Sequence, residues 1–126
     1  MAGATTITVI GGVSRAFAPP GGDMYGLIGK MTSAPGRRDE LVSILLEGAA
    51  TMPGCLSYII AKDTSDPNAI WITEAWENKA SHEASLLLPL VKEAIAKGRP
   101  LIADFSDRVV TTPAGGTGLA LPDRAR

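Results

Sequence analysis

The chain has 126 residues, with 12 lysines and arginines against 13 aspartates and glutamates and a net charge of −1. That length suits one domain with a real hydrophobic core, and the balance supplies no basic field for nucleic acid or acidic lipid, so neither nucleic acid nor membrane is expected as a partner. A lone cysteine, Cys55, allows neither an internal disulfide nor a thiolate metal site, and a reducing cytoplasm is the expected setting.

Residues 1–23 read as an extension, either loose or adding an edge strand. Thr5 to Val13 is mildly apolar and Ala16-Phe17-Ala18 looks like a signal-cleavage box. No Lys or Arg precedes that stretch, however, and Gly11-Gly12 interrupts it, which argues against a secretory signal. Pro19-Pro20-Gly21-Gly22 marks a boundary. At the far end, Pro113-Ala-Gly-Gly-Thr-Gly and Pro122 to Arg126 suggest a flexible tail over 113–126. The working domain is therefore expected over residues 24–112.

Within it the periodicity predicts a strand over Met24 to Thr32, with Tyr25, Leu27, Gly29 and Met31 on one side. Ala34-Pro35-Gly36 turns the chain. Leu41, Ile44, Leu45, Gly48, Ala49 and Met52 then share one face of a helix, opposite a solvated Arg37, Arg38, Asp39, Glu40, Ser43 and Glu47, and Met52-Pro53-Gly54 is expected to stop it. Strands follow over Cys55 to Lys62 and Ala69 to Glu77, joined by the turn-rich Asp63 to Asn68 as an antiparallel hairpin. Asn78 is positioned to cap a second helical region, which Pro89 should split in two. Gly98-Arg99-Pro100 ends it, and a last strand covers Leu101 to Thr112. The order β-α-β-β-α-β is that of an α+β, ferredoxin-like domain with an antiparallel sheet and both helices on one face.

The strands are apolar on both sides, although two helices can cover only one face. Ile70 and Ile72 alternate with Trp71, and Leu56, Tyr58 and Ile60 alternate with Cys55 and Ile59. A solvated outer face should be polar at every second position. Packing of that face against a second copy in a homodimer accounts for the pattern; the N-terminal extension folding across it is the competing account.

These residues resemble the antibiotic biosynthesis monooxygenase family, including its quinol monooxygenase-like members. The resemblance covers residues 24–112. It rests on the Pro35-Gly36-Arg37 turn, the Met52-Pro53-Gly54-Cys55-Leu56 entry to strand two, the Asp66-Pro67-Asn68 hairpin, Glu74-Ala75-Trp76-Glu77 followed by Asn78 and Ala80, and the Leu-Pro-Leu-Val piece ending in Arg99-Pro100-Leu101-Ile102. It implies a dimeric α+β barrel of ferredoxin-like subunits that oxygenates a quinol or polycyclic phenol with dioxygen as co-substrate and no flavin, haem or metal. The residues agree with a site of that kind. No Gly-rich dinucleotide fingerprint lies between a strand and a helix, and one His with scattered carboxylates makes no facial triad.

A cofactor-free oxygenation asks for an apolar pocket, a base to ionise the phenol and groups that stabilise the anion. Trp76 matches the family's strand-three tryptophan and would wall the pocket, or else pack the core beneath helix two. Trp71, on the other face, is assigned to a dimer interface. His82, the only histidine, is the candidate base, since an imidazole titrates near neutrality; otherwise it is a partly exposed helix residue. Tyr58 and Phe105 would complete an aromatic wall, unless they are core. Many family members carry a histidine nine residues beyond the strand-three tryptophan, where this chain has Ser85; here His82 stands one turn earlier, and Ser85 is carried as a substrate-binding position. Glu74 on an inner strand is costly to bury alone and is expected to pair with a lysine or arginine across the sheet. Cys55 has no activating neighbour and is expected to pack.

The asparagine in strand one and the histidine late in helix two on which haem-degrading members depend are missing. Two other activities fit the same fold: an isomerase or lyase of small aromatic or lactone metabolites, with His82 as proton shuttle, or a non-catalytic carrier of a small aromatic molecule.

Overall fold

The computed structural model describes residues 23–120. The elements are β1 (Tyr25–Ser33), α1 (Arg38–Gly48), β2 (Cys55–Lys62), β3 (Ala69–Trp76), α2 (Lys79–Ser85), α3 (Pro89–Gly98), a single 3₁₀ turn (Arg99–Leu101) and β4 (Ile102–Thr111). The strands form one sheet in the order β2-β3-β1-β4, every neighbouring pair antiparallel. This is the ferredoxin-like α+β arrangement expected from the order of elements. Residues 1–22 and 121–126, which include the end of the expected tail and all of the expected extension but Asp23, lie outside the described residues. Within 113–120, the Ala120 N–H donates to the Leu56 carbonyl at 2.9 Å.

Local chemistry sets the element ends. The Asn78 side chain accepts from the Ser81 N–H at 2.8 Å, which fixes the start of α2. Pro89 occupies the first turn of α3, where its missing donor costs nothing. Helix α1 is shorter than its apolar stripe predicts: it ends at Gly48 and leaves Ala49 and Met52 in the following loop. Glycine weakens a helix, Pro53 supplies no donor to a further turn, and the residue before a proline is pushed out of the helical region. Gly48 also marks a close crossing, since a Cβ there would meet the Ala94 Cβ of α3 at 2.5 Å.

Leu41, Ile70, Ile72 and Leu101 form the buried cluster between helices and sheet, with Met31, Ile44, Leu45, Tyr58 and Ile60 packed against it. Each such aliphatic side chain contributes on the order of 1.5–3 kcal/mol by leaving water. Arg38, read from sequence as part of a solvated helix start, instead donates through Nη1 to the carbonyls of Asp63, Asp66 and Ala69 at 3.0, 2.9 and 3.2 Å. It thereby ties α1 to the β2–β3 hairpin. That contact spans more than twenty residues of sequence and follows from tertiary placement alone.

Candidate active site

Register decides which side chains meet. Tyr25, Leu27, Gly29 and Met31 of β1 lie opposite Trp76, Glu74, Ile72 and Ile70 of β3, and Tyr58 of β2 lies opposite Glu74. Paired residues of antiparallel strands project to the same side, so these positions share the helix-facing surface. Between that surface and α1 and α3 is a cavity of about 470 Å³. Its walls are largely apolar, with Met31, Leu45, Ile72, Leu86, Val91 and Phe105 among them, and the ionisable side chains lining it are Tyr58, Glu74 and Arg99.

Glu74 is the carboxylate in this cavity. Its side chain and that of His82 are each 15% exposed. The Trp76 indole N–H donates to Glu74 Oε1 at 2.9 Å, and His82 Nε2 stands 3.9 Å from the same oxygen. Both contacts fall on Oε1. Burial pushes the Glu74 carboxyl above its ordinary value of 4.5, against the opposing pull of the Trp76 donor, His82 and Arg108. A desolvated carboxylate is a stronger base than one in water, and such perturbation is concentrated at functional sites. Its partners are therefore an indole and an imidazole, with Arg108 acting at longer range, where the sequence had suggested a direct lysine or arginine pair.

His82 is seated by aromatic contacts. Its ring centroid lies 5.5 Å from that of Trp76, edge-on, and 5.4 Å from that of Tyr25, tilted. Trp76 is 1% exposed and among the most buried side chains. Trp76 and His82 are thus brought together, but behind Glu74 and outside the cavity wall. Tyr58 and Phe105 do line the cavity. Burial and the Glu74 charge push the Tyr58 phenol well above its usual range, so it is held protonated as a donor. Phe105 is 68% exposed, at the mouth. Ser85 is buried, and its hydroxyl donates to the His82 carbonyl at 2.6 Å; it is not among the cavity-lining residues. The Cys55 thiol is pushed up by burial, which removes nucleophilic character.

Sequence reasoning missed Glu74 and Arg99 as cavity residues. Glu74 had a readable signal, being the one acid in the inward row Ile70, Ile72, Glu74, Trp76. Among the described residues no group of three or more His, Cys, Asp or Glu side chains is placed to hold a metal ion, and no helix is long and apolar enough to cross a membrane.

A family model for antibiotic biosynthesis monooxygenases matches residues 24–97, more than half of the chain. The chain belongs to the antibiotic biosynthesis monooxygenase family. Among solved structures, a provisionally named antibiotic biosynthesis monooxygenase from Chloroflexus aurantiacus J-10-fl is 60% identical, with 76% of this chain and 98% of that one covered and a TM-score of 0.75. SnoaB from Streptomyces nogalater, a cofactor-independent oxygenase, aligns over 75% of this chain and 97% of its own with a TM-score of 0.63. At 16% identity that likeness is one of fold. A curated relative, an uncharacterized protein of Synechocystis, is 26% identical over 78 residues, 60% of this chain; the match spans about half of the relative's length, 53%. The matched range carries β1, β2, β3, α1, α2 and nearly all of α3, while β4 and the cavity residues Arg99, Ile102 and Phe105 follow it.

Proposed function

We propose that the protein is a cofactor-independent monooxygenase that oxidises a quinol or polycyclic phenol with dioxygen. The observation that carries this reading is Glu74, a desolvated carboxylate that accepts from Trp76 on one oxygen and lines an apolar cavity. Family membership and the cofactor-independent activity of SnoaB support it.

In this reading Glu74 takes the phenolic proton, and the electron-rich anion reduces dioxygen. One oxygen atom bonds to ring carbon, the other leaves as water with two hydrogens from the substrate, and the protein is unchanged. Trp76 orients Glu74, His82 stabilises or relays its proton, and Ser85 fixes the turn of α2 that carries His82. Tyr58 donates to a substrate oxygen, and Phe105 closes the mouth. The working unit is residues 24–112 as a homodimer in the cytoplasm, joined through the outer sheet face where Ile59 and Val109 stand 56% and 50% exposed. Exposed apolar side chains on a sheet face are what a partner subunit would cover.

The deciding experiment is oxygen uptake by chelator-treated protein with a panel of hydroquinones, naphthoquinols and larger phenols. Uptake that needs no added cofactor and falls in Glu74 and His82 variants is expected. Absence of uptake with every substrate would overturn the oxygenase reading and favour proton transfer without oxygen at the same carboxylate. Light scattering at micromolar concentration should give a dimer; a monodisperse monomer would sink the sheet-to-sheet interface.

A further inference from the structure

A second, smaller cleft of about 170 Å³ adjoins the main cavity and shares four of its walls: Met31, Ile72, Glu74 and Phe105. Two local features of the sheet create it. Gly29 lies on the helix-facing side of β1 and has open space where a Cβ would stand, with nothing within 4 Å. Any larger residue there would fill the gap over the middle of the sheet.

The other feature is a bulge in β4. Ile28 pairs with Val109 and Lys30 with Ser106, so Gly29 is opposed by two residues, Asp107 and Arg108. Asp107 carries φ of 50°, the left-handed conformation that the first residue of a G1-type bulge adopts. Regular alternation from Phe105, which faces the cavity opposite Met31, would send Arg108 to the outer face. The inserted residue reverses that parity, and Arg108 lines the cleft beside Ile72 and Glu74. Bulges serve to re-aim a side chain in this way. The result is a cleft lined by Arg108 and Glu74, with Gly29 beneath it and Lys30 also at its edge; register places the Lys30 side chain on the opposite face from Glu74.

We propose that Arg108 is an anion-binding residue of the active site, receiving the substrate's phenolate oxygen over Gly29 while Glu74 receives its proton. The inference deepens the oxygenase reading and rests on it for the identity of the ligand. Charge is conserved through the step. The O–H bond breaks heterolytically, the proton passes to Glu74, the electron pair stays on the substrate oxygen, and the guanidinium exchanges one anionic neighbour for another. No co-reactant enters. A charge-assisted contact is stronger than a neutral one; Arg108 is itself exposed, and Leu27 and Ile72 supply apolar surroundings only on the inner side of the cleft. The arrangement also fixes orientation: the ring system fills the large cavity, and the ionising hydroxyl points at the junction with the cleft.

The test uses 4-nitrophenol, whose ionised and neutral forms differ in absorbance, and measures the affinity of the full-length protein for each form. The Glu74→Gln variant isolates the arginine from the base and should favour the ionised form. Adding Arg108→Gln should cut the ratio of ionised to neutral affinity by about tenfold, equivalent to one unit in the bound phenol's pKa. Arg108→Lys should retain most of the preference, and binding of naphthalene, which has no ionisable group, should not change. Gly29→Val blocks the cleft with no change of charge, is compatible with a strand, and should also lower the ratio.

An unchanged ratio in Arg108→Gln overturns the proposal even where oxygen uptake is normal. Lack of uptake in the wild type, together with an arginine-dependent phenolate preference, overturns the oxygenase reading and supports the anion site.

Discussion

Two tryptophans on one strand donate to two carboxylates, with opposite consequences. Trp76 faces the helices and donates to Glu74, whose carboxyl is pushed up by burial. Trp71, on the outer face, donates to Asp63 Oδ2 at 2.8 Å, with the Lys30 ammonium 5.6 Å from its ring centroid. Asp63 also accepts from the backbone N–H groups of Ser65 and Asp66, and these donors bring it down to about 2. The same indole donor therefore accompanies a carboxylate with spare basicity on one face and a saturated one on the other. The number of donors and access to water decide the difference, not the residue types. A carboxylate with three donors holds a loop; one with a single donor and an apolar wall retains basicity for chemistry.

Turnover offers the largest test of that contrast. Glu74→Gln keeps an acceptor for Trp76 but cannot take a proton, and oxygen uptake should fall by about 100-fold or more, the usual contribution of a positioned base. Asp63→Asn should leave the rate within about twofold, since the loop lies outside the cavity wall. Equal losses in the two variants would erase the functional distinction between the faces.

Stability gives the next effect. Trp76→Ala empties a site that is 1% exposed and should cost about 3–5 kcal/mol in chemical denaturation, together with turnover. Trp71→Ala should cost clearly less, because its ring is only half-buried. Trp76→Phe keeps most of the packing and loses the N–H, so a rate loss in that variant with little loss of stability would separate orientation of Glu74 from core packing.

The placement of the tryptophans on opposite faces was legible, because strand alternation dictates it. So were the element order, the Asn78 cap and the break at Pro89, each a local rule acting on neighbouring residues. Glu74 was visible as an acid in an apolar row, but sequence could not place a cavity over it. That depends on where α1 and α3 cross, at Gly48 and Ala94. Arg108 was wholly hidden, since one inserted residue in β4 reverses which face it joins. Local periodicity carries no information about such a parity change until the partner strand's register is known. The Arg38 clamp escaped for a related reason: its acceptors are backbone carbonyls that converge only when the hairpin folds over α1.

Acid titration should separate the two carboxylates by sign. Asp63 falls from an ordinary 3.8 to about 2 on folding, so its stabilisation is present above pH 3.8 and is lost as pH drops through about 2. Glu74 moves the other way from 4.5. Its contribution is whole below pH 4.5 and is lost as pH rises through its folded value. In thermal melts Asp63→Asn should lower Tm at about pH 7 and converge on wild type toward about pH 2. Glu74→Gln should raise Tm at about pH 7 and lose that advantage by about pH 4. Shifts of the same sign at neutral pH would mean that Glu74 is better solvated than its 15% exposure implies.

The smallest effect concerns the support behind Glu74. Asn78→Ala removes the side-chain acceptor at the start of α2 and should cost about 1 kcal/mol. Helix α2 has only seven residues, so loss of its cap should loosen the frame that brings His82 to 3.9 Å from Glu74. If His82 merely fills space between Tyr25 and Trp76, turnover in Asn78→Ala should track the small loss of folded protein. If its position tunes the proton on Glu74, the pH–rate profile of Asn78→Ala should move while substrate binding stays constant. A matching displacement in Ser85→Ala, which frees the His82 carbonyl from its 2.6 Å partner, would assign that tuning to the α2 frame as a whole.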